Sequence, residues 1–118
     1  MILATGSVPL VLPIPGLADC GYVTAQDLLL GKTAAGRRAL VVGGGMVGCE
    51  AAEYLAERGH QVAIVEMKDV IAADVTPENR RYMFRNFGEN HVLLQPGAKA
   101  PGNAVLATGD ALEAALAI

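Results

Sequence analysis

Residues 39–67 read ALVVGGGMVGCEAAEYLAERGHQVAIVEM, and the order of residue types in this stretch decides the fold. Arg38 to Val42 carries a continuous apolar run bounded by charge and glycine, which is typical of a parallel strand buried on both faces. From Met46 to Arg58 the apolar residues recur at helical spacing, and Gly59 suits the end of that helix. Gln61 to Glu66 is a second apolar run. The stretch therefore predicts a β–α–β unit.

The rest of the chain predicts further elements around this unit. Ala25–Leu30 is expected to be a short helix capped by Thr24, and Pro77–Phe87 a helix that begins after Thr76 as N-cap. The remaining expected elements are strands at Ile2–Thr5, His91–Gln95 and Ala104–Thr108, an extended crossing segment at Val8–Gly21 and an Ala-rich helix at Asp110–Ile118. Together they predict an α/β fold, a Rossmann-like three-layer sandwich with a mostly parallel sheet.

The length of 118 residues suits one domain. We expect a lead-in over residues 1–36 and a Rossmann core over residues 37–118. The net charge of −3 without a basic stripe argues against a nucleic-acid partner, and no apolar run is long enough for a membrane helix. The prolines in the apolar N-terminal stretch argue against a signal peptide. Cys20 and Cys49 have no CxxC spacing and are expected to be free thiols of a cytoplasmic protein.

Gly43 to Gly48 read GGGMVG and match the pattern G-x-G-x-x-G. The pattern is weak alone, but here it ends a predicted strand and opens a predicted helix, as phosphate binding requires. Gly43 would permit the tight turn, Gly45 the approach of a pyrophosphate to the backbone, and Gly48 close helix packing. We expect Gly44 to belong to the same loop. The amides of Met46 and Val47 are expected to point at the phosphates.

Glu66 ends the second strand, 23 residues after Gly43. Its carboxylate could accept hydrogen bonds from both hydroxyls of an adenosine ribose, and it would repel a 2′-phosphate. These features favour NAD(H) over NADP(H) as the cofactor, although Lys68 could soften the preference. Met46 and Met67 flank the site, and both are expected to pack against the cofactor or the core.

Other candidate residues have more than one reading. Glu50, in the first turns of the helix, is stabilised there by the helix dipole, and its alternative role is contact with the nicotinamide end of a dinucleotide. His60 and His91 are expected at the surface. The sequence offers no Ser/His/Asp set, no metal-ligand cluster and no pair of acids with catalytic spacing, so no catalytic residue is expected.

Several stretches together resemble the flavoproteins with two dinucleotide-binding domains. They are ILATGSVP at Ile2–Pro9, VTAQDLLLG at Val23–Gly31, residues 39–67, and ATGDALEAALAI at Ala107–Ile118. The closest likeness is to the C-terminal part of the 2,4-dienoyl-CoA reductase, enoate reductase and NADH:flavin oxidoreductase group. The resemblance implies a pyridine nucleotide-disulfide oxidoreductase-type fold. Gly109, before Asp110, resembles either the Gly-Asp that reaches the flavin or the end of a strand of the NAD domain.

The departures from that family shape the functional expectation. FAD would need a second G-x-G-x-x-G, and the iron–sulfur cluster a Cys-rich segment, and this sequence contains neither. The resemblance therefore implies an NAD(H)-binding domain that positions nicotinamide for hydride transfer to FAD in a parent enzyme. FAD, FMN and an iron–sulfur cluster would belong to that parent alone. The alternative is a Rossmann-framed module that self-associates through the surface facing the FAD domain in the parent, for which the apolar Val8–Pro15 is the feature.

Overall fold

The structure, a computed structural model, describes residues 1–98 and the backbone of the strand at 115–117. Its helices are α1 (Leu17–Cys20), α2 (Ala25–Leu29), α3 (Met46–Ala56) and α4 (Pro77–Glu89). Its strands are β1 (Tyr22–Thr24), β2 (Arg38–Val42), β3 (Gln61–Val65), β4 (Leu93–Gln95) and β5 (Ala115–Ala117). The predicted β–α–β unit is therefore β2–α3–β3.

The described strands form one parallel sheet in the order β1-β5-β2-β3-β4. The longest pairing joins β2 to β3, in register from Arg38 opposite Gln61 to Val42 opposite Val65. From β2 the chain continues to β3 on one side, whereas β5 lies on the other side of β2. Such a reversal of strand order opens a crevice at the carboxyl ends of the strands. The predicted α/β class with a mostly parallel sheet is confirmed.

The core lies between one face of the sheet and the helices. Ala39 and Val41 of β2 and the register partners Val62 and Ile64 of β3 point into it. The helices contribute Leu28, Cys49, Ala52, Leu55, Ala56, Met83 and Phe87. Small side chains on α3 allow that helix to lie close to the sheet. This close packing positions the first turn of α3 next to the end of β2.

The helix starts follow the sequence signals. Thr24 caps α2, since its side-chain oxygen accepts a hydrogen bond from the amide of Asp27 at 3.1 Å. Pro77 is the first residue of α4, as predicted, and Thr76 occupies the N-cap position without a side-chain cap bond. The helix ends at Glu89, two residues beyond the predicted Phe87.

Two predicted elements are wrong. Ile2–Thr5 forms no strand, and Ile2 is 93% exposed. A strand needs a hydrogen-bonding partner, and none of the described strands pairs with this segment. Ala115–Ala117, expected in a helix, is a strand between β1 and β2. Pairing on both edges outweighs the helix propensity of alanine there.

The crossing segment Val8–Gly21 also differs from expectation at its end, where α1 forms a single turn. The predicted strand Ala104–Thr108, Gly109 and the beginning of the predicted last helix lie outside the described residues. Among the described helices, none has the length and apolar character needed to cross a bilayer.

Candidate functional site

The glycine loop joins the carboxyl end of β2 to the first turn of α3, next to the reversal of strand order. Gly43 adopts a φ of 105°, a conformation that side chains with a Cβ rarely reach. Its amide still donates to the carbonyl of Val65 at 2.8 Å, which extends the pairing of β2 with β3 by one residue. The loop therefore turns sharply without losing its tie to the neighbouring strand.

Gly44 has little room for a side chain. A Cβ at this position would lie 3.0 Å from Cβ of Glu66, and 3.3 Å from both Cγ2 of Ile64 and Cγ1 of Ile71. From the sequence, Gly44 is expected only to belong to the loop. In the structure it is the loop residue that contacts Glu66, which directly follows β3.

Glu66 binds the loop through its side chain. Its Oε2 accepts a hydrogen bond from the Gly44 amide at 2.7 Å, and its Oε1 accepts one from the Lys68 amide at 2.8 Å. A carboxylate has about four lone-pair positions, so each oxygen retains capacity for a further donor. The side chain is half-buried, and Met67 beside it is 71% exposed. The carboxylate is thus fixed in orientation and still open to a ligand.

The first turn of α3 has no cap of its own. Gly45 is the N-cap residue and has no side chain to offer. The amide of Met46 instead donates to the carboxylate of Asp74, at 2.9 Å to Oδ1 and 3.1 Å to Oδ2. Met46 and Val47 are 47% and 44% exposed, so this end of the helix is accessible from solvent.

Asp74 is the residue of this site that sequence reasoning missed. It lies 28 residues from Met46, in a loop with no periodic pattern. The available signal was indirect: a helix that starts on three glycines lacks a capping side chain and needs an acceptor from elsewhere.

Cys49 lies fully buried beneath the glycine loop, and its Sγ is 3.5 Å from the carbonyl oxygen of Gly44. Burial raises the pKa of the Cys49 thiol to about 11, and the negative charges of Asp74 and Glu66 act in the same direction. The thiol is therefore protonated and serves as a packing residue. Both Cys20 and Cys49 are free, as the sequence predicts.

The structure brings Gly43–Gly48 together with Glu66, Met67 and Lys68 at one end of the sheet. Glu50 is exposed on α3, and His91 is exposed with a φ of 55°. His60 is half-buried rather than fully exposed, with Nδ1 2.7 Å from the carbonyl oxygen of Gly36.

A cleft of about 600 Å³ lies at the opposite end of the strands. Its lining includes Arg38, His60, Gln61 and His91, at or near the starts of β2, β3 and β4, and none of the glycine loop. Ligands of open parallel sheets bind at the carboxyl ends of the strands, so the glycine loop, and not this cleft, is the candidate site.

Fold and loop together define the Rossmann type of α/β protein. The sequence matches the family described as pyridine nucleotide-disulphide oxidoreductase over residues 1–115. The chain belongs to this family of oxidoreductases.

Individual proteins and solved structures are also similar to this chain. The chain is 44% identical over 101 residues to an NADH oxidase of Thermoanaerobacter brockii, an alignment that covers 82% of this chain and 16% of the oxidase. The fold is similar to that of a 2-naphthoyl-CoA reductase solved with 2-naphthoyl-CoA, with a TM-score of 0.79 and 23% identity over 97% of this chain and 19% of the reductase. The water-forming NADH oxidase of Lactobacillus brevis, solved bound to NADH, gives a TM-score of 0.57 and 27% identity over 79% of this chain and 22% of the oxidase.

The chain spans only a small part of these proteins. The first curated relatives are covered over 10% to 31% of their own lengths.

Proposed function

We propose that this chain is the NAD(H)-binding part of a flavin-dependent oxidoreductase, and that it positions the nicotinamide for hydride transfer to FAD in the larger protein. The observation that carries the proposal is the hydrogen bond between the Gly44 amide and the Glu66 carboxylate. It places a phosphate-binding type of turn and a ribose-binding type of acid side by side, at the reversal of strand order where dinucleotides bind.

The geometry of the loop fits a dinucleotide. Gly45 adopts an extended backbone that any residue could adopt, so its lack of a side chain reflects the space above it and not its conformation. The free acceptor positions of Glu66 suit the two hydroxyls of an adenosine ribose. The L. brevis oxidase named above is described as bound to NADH, which supports the same ligand here.

The choice of NAD(H) over NADP(H) rests on Glu66. A 2′-phosphate would meet its carboxylate at short range, and like charges there are unfavourable. Lys68 donates its backbone amide to Glu66, which leaves its cationic side chain as a weaker opposing influence. We therefore place the ribose at Glu66, with Met67 and Lys68 flanking it.

The role of this chain's own residues is to bind NAD(H) and to orient its nicotinamide. NAD(H), when bound, supplies the hydride, and an acceptor such as FAD would come from the parent protein. The described site contains no side chain that we assign to acid–base chemistry. FMN and an iron–sulfur cluster, if they follow FAD, also belong to the parent protein. We propose that this parent is related to the dienoyl-CoA reductase group.

The test is titration of NADH into the folded chain by calorimetry. We expect roughly micromolar to millimolar affinity and a large loss in Gly45→Val, because the new side chain fills the space over the Met46 amide. Gly88→Val is the matched control, since a Cβ at Gly88 meets nothing within 4 Å. Absence of NADH binding by well-folded wild-type chain would refute the proposal.

One observation favours a second candidate, a self-associating module. Val8 and Leu10 in the N-terminal segment are 87% and 67% exposed, and contiguous exposed apolar side chains mark interaction surfaces. Light scattering separates the candidates: a monomer that takes up NADH supports the first, and a dimer that ignores NADH supports the second.

A further inference from the structure

We propose that Asp74 is an internal anion that competes with the dinucleotide for the first turn of α3. Its carboxylate lies within hydrogen-bond distance of the Met46 amide through both oxygens, at 2.9 and 3.1 Å. The inference rests on the proposed function, because Met46 is one of the residues we assign to the pyrophosphate.

Asp74 also lies over the glycine that the pyrophosphate would approach. A Cβ placed on Gly45 would be 3.2 Å from Oδ2 of Asp74 and 3.7 Å from its Cγ. The empty volume over Gly45 is therefore bordered by a carboxylate in this structure. A pyrophosphate entering it would meet a negative charge at the distance of direct contact.

The loop that carries Asp74 is docked on the glycine loop. The amide of Ala72 donates to the carbonyl of Gly44 at 2.6 Å, and Ala72 is fully buried with a φ of 56°. Ile71, also buried, packs within reach of Gly44. These contacts hold the backbone next to Asp74 in place, and this backbone positions the carboxylate at the Met46 amide.

The side chain of Asp74 itself is free to leave. Asp74 and Met46 are both exposed, so the carboxylate can rotate into water. Amides of a helix first turn favour any anion, whether carboxylate or phosphate. Asp74 therefore caps α3 in the free chain and must give up the Met46 amide when a pyrophosphate binds there, which weakens binding.

The experiment compares wild type with Asp74→Asn, Asp74→Glu and the control Asp69→Asn. The control removes one charge from the same loop at a carboxylate that lies beside Gly97. Three probes are titrated into each: NADH, inorganic pyrophosphate and adenosine. The amide resonance of Met46 is followed by NMR in the same titrations, and thermal unfolding verifies that every variant is folded.

Competition predicts that Asp74→Asn binds NADH and pyrophosphate about fivefold more tightly. It also predicts that adenosine affinity stays unchanged, that Asp74→Glu resembles wild type, and that the Met46 resonance moves with pyrophosphate at lower concentration in Asp74→Asn. An equal gain in Asp69→Asn would indicate a general charge effect and overturn the inference.

The two proposals fail in different ways. If wild type binds NADH and Asp74→Asn binds it no more tightly, the competition is wrong and NAD(H) binding stands. If well-folded wild type does not bind NADH, the proposed function is wrong, and pyrophosphate alone decides the competition: tighter uptake by Asp74→Asn supports it, and equal or absent uptake overturns it.

Discussion

The amide of Gly44 donates to Oε2 of Glu66 at 2.7 Å, and the Cβ of Glu66 lies 3.0 Å from the position where a side chain on Gly44 would begin. The same carboxylate holds the Lys68 amide through its other oxygen. One side chain thereby ties the turn after β2 to the turn after β3. Ligand binding and local stability are consequently linked at Glu66, and substitutions there should change both.

Replacing Glu66 with Gln is the first test of that link. The amide of Gln can accept from one of the two backbone donors but presents its own NH₂ group toward the other. We expect NADH affinity to fall about tenfold, since a hydrogen bond to a charged group is worth about 1.5 kcal/mol or more. Discrimination against NADPH should weaken too, because the repelling charge is gone. Both are measured by titration of each nucleotide.

Glu78→Gln is the control, since Glu78 is an exposed acid in the first turn of α4. It should leave both affinities unchanged. If Glu66→Gln kept the full preference for NADH over NADPH, the assignment of Glu66 to the ribose would be wrong.

Gly44→Ala should destabilise the fold although it adds one methyl group. The new Cβ would contact Glu66, Ile64 and Ile71 at 3.0 to 3.3 Å, and two of these belong to the packed core. Overpacking of this kind costs about 1–3 kcal/mol. Denaturant unfolding measures the loss.

Gly88→Ala makes the same substitution at a second glycine and should have the opposite effect on the free energy of unfolding. A Cβ at Gly88 meets nothing within 4 Å, and the residue lies within α4, where alanine is favoured over glycine by about 1 kcal/mol. Stabilisation by Gly88→Ala together with destabilisation by Gly44→Ala would verify the packing argument. Equal effects of the two would contradict it.

The sequence predicted the central unit well because local and tertiary preferences agree there. The apolar run ending at Val42 is strand β2, and the helix begins at Met46 directly after the glycines. Pro77 likewise starts α4, since proline suits the first helical position. In each case the residue type alone restricts the backbone.

Prediction failed where a distant partner decides the outcome. Ala115, Leu116 and Ala117 favour a helix locally, but strand pairing with β1 and β2 determines their state. Asp74 was missed for a similar reason: its role exists only because Ala72 docks on Gly44. Neither contact leaves a periodic pattern that could be read from the chain.

Glu53 should be a destabilising residue at neutral pH. Burial raises the pKa of its carboxyl, and the charges of Glu57, just after α3, and of Glu50 within it raise that pKa further. Within the described part of the chain, its buried Oε1 has no hydrogen-bond partner. Glu53→Gln removes the charge and should stabilise the chain by about 0.5 kcal/mol at pH 7, the size of a like-charge pair at this helical spacing.

The sign of the pH dependence follows from the raised pKa. The folded chain binds the Glu53 proton more tightly than the unfolded chain, so the charge penalty is absent below the ordinary value of 4.5 and develops as the pH rises above it. Denaturant unfolding of Glu53→Gln and wild type should converge at pH 4 and separate at pH 7. Glu50→Gln, at an exposed position, should give a smaller gain; a gap that persists unchanged at pH 4 would contradict the electrostatic cause.

Cys49 should be unreactive while Cys20 reacts. Cys20 is exposed, whereas burial raises the pKa of the Cys49 thiol to about 11, and the thiolate is the reactive form. With an alkylating reagent at pH 8, mass spectrometry should find label on Cys20 long before Cys49. Unfolding in denaturant should abolish the difference, because it removes the burial that protects Cys49.

The same raised pKa predicts a loss of stability in alkali. The folded chain retains the Cys49 proton to higher pH than the unfolded chain, so its contribution is complete below the ordinary value of 9.0 and is lost as the pH rises toward about 11. The free energy of unfolding of wild type should therefore fall more steeply between pH 9 and pH 11 than that of Cys49→Ala, which lacks the titrating group. Parallel slopes for the two chains would show that the position of Cys49 beneath the glycine loop, beside Asp74 and Glu66, does not raise the pKa of its thiol.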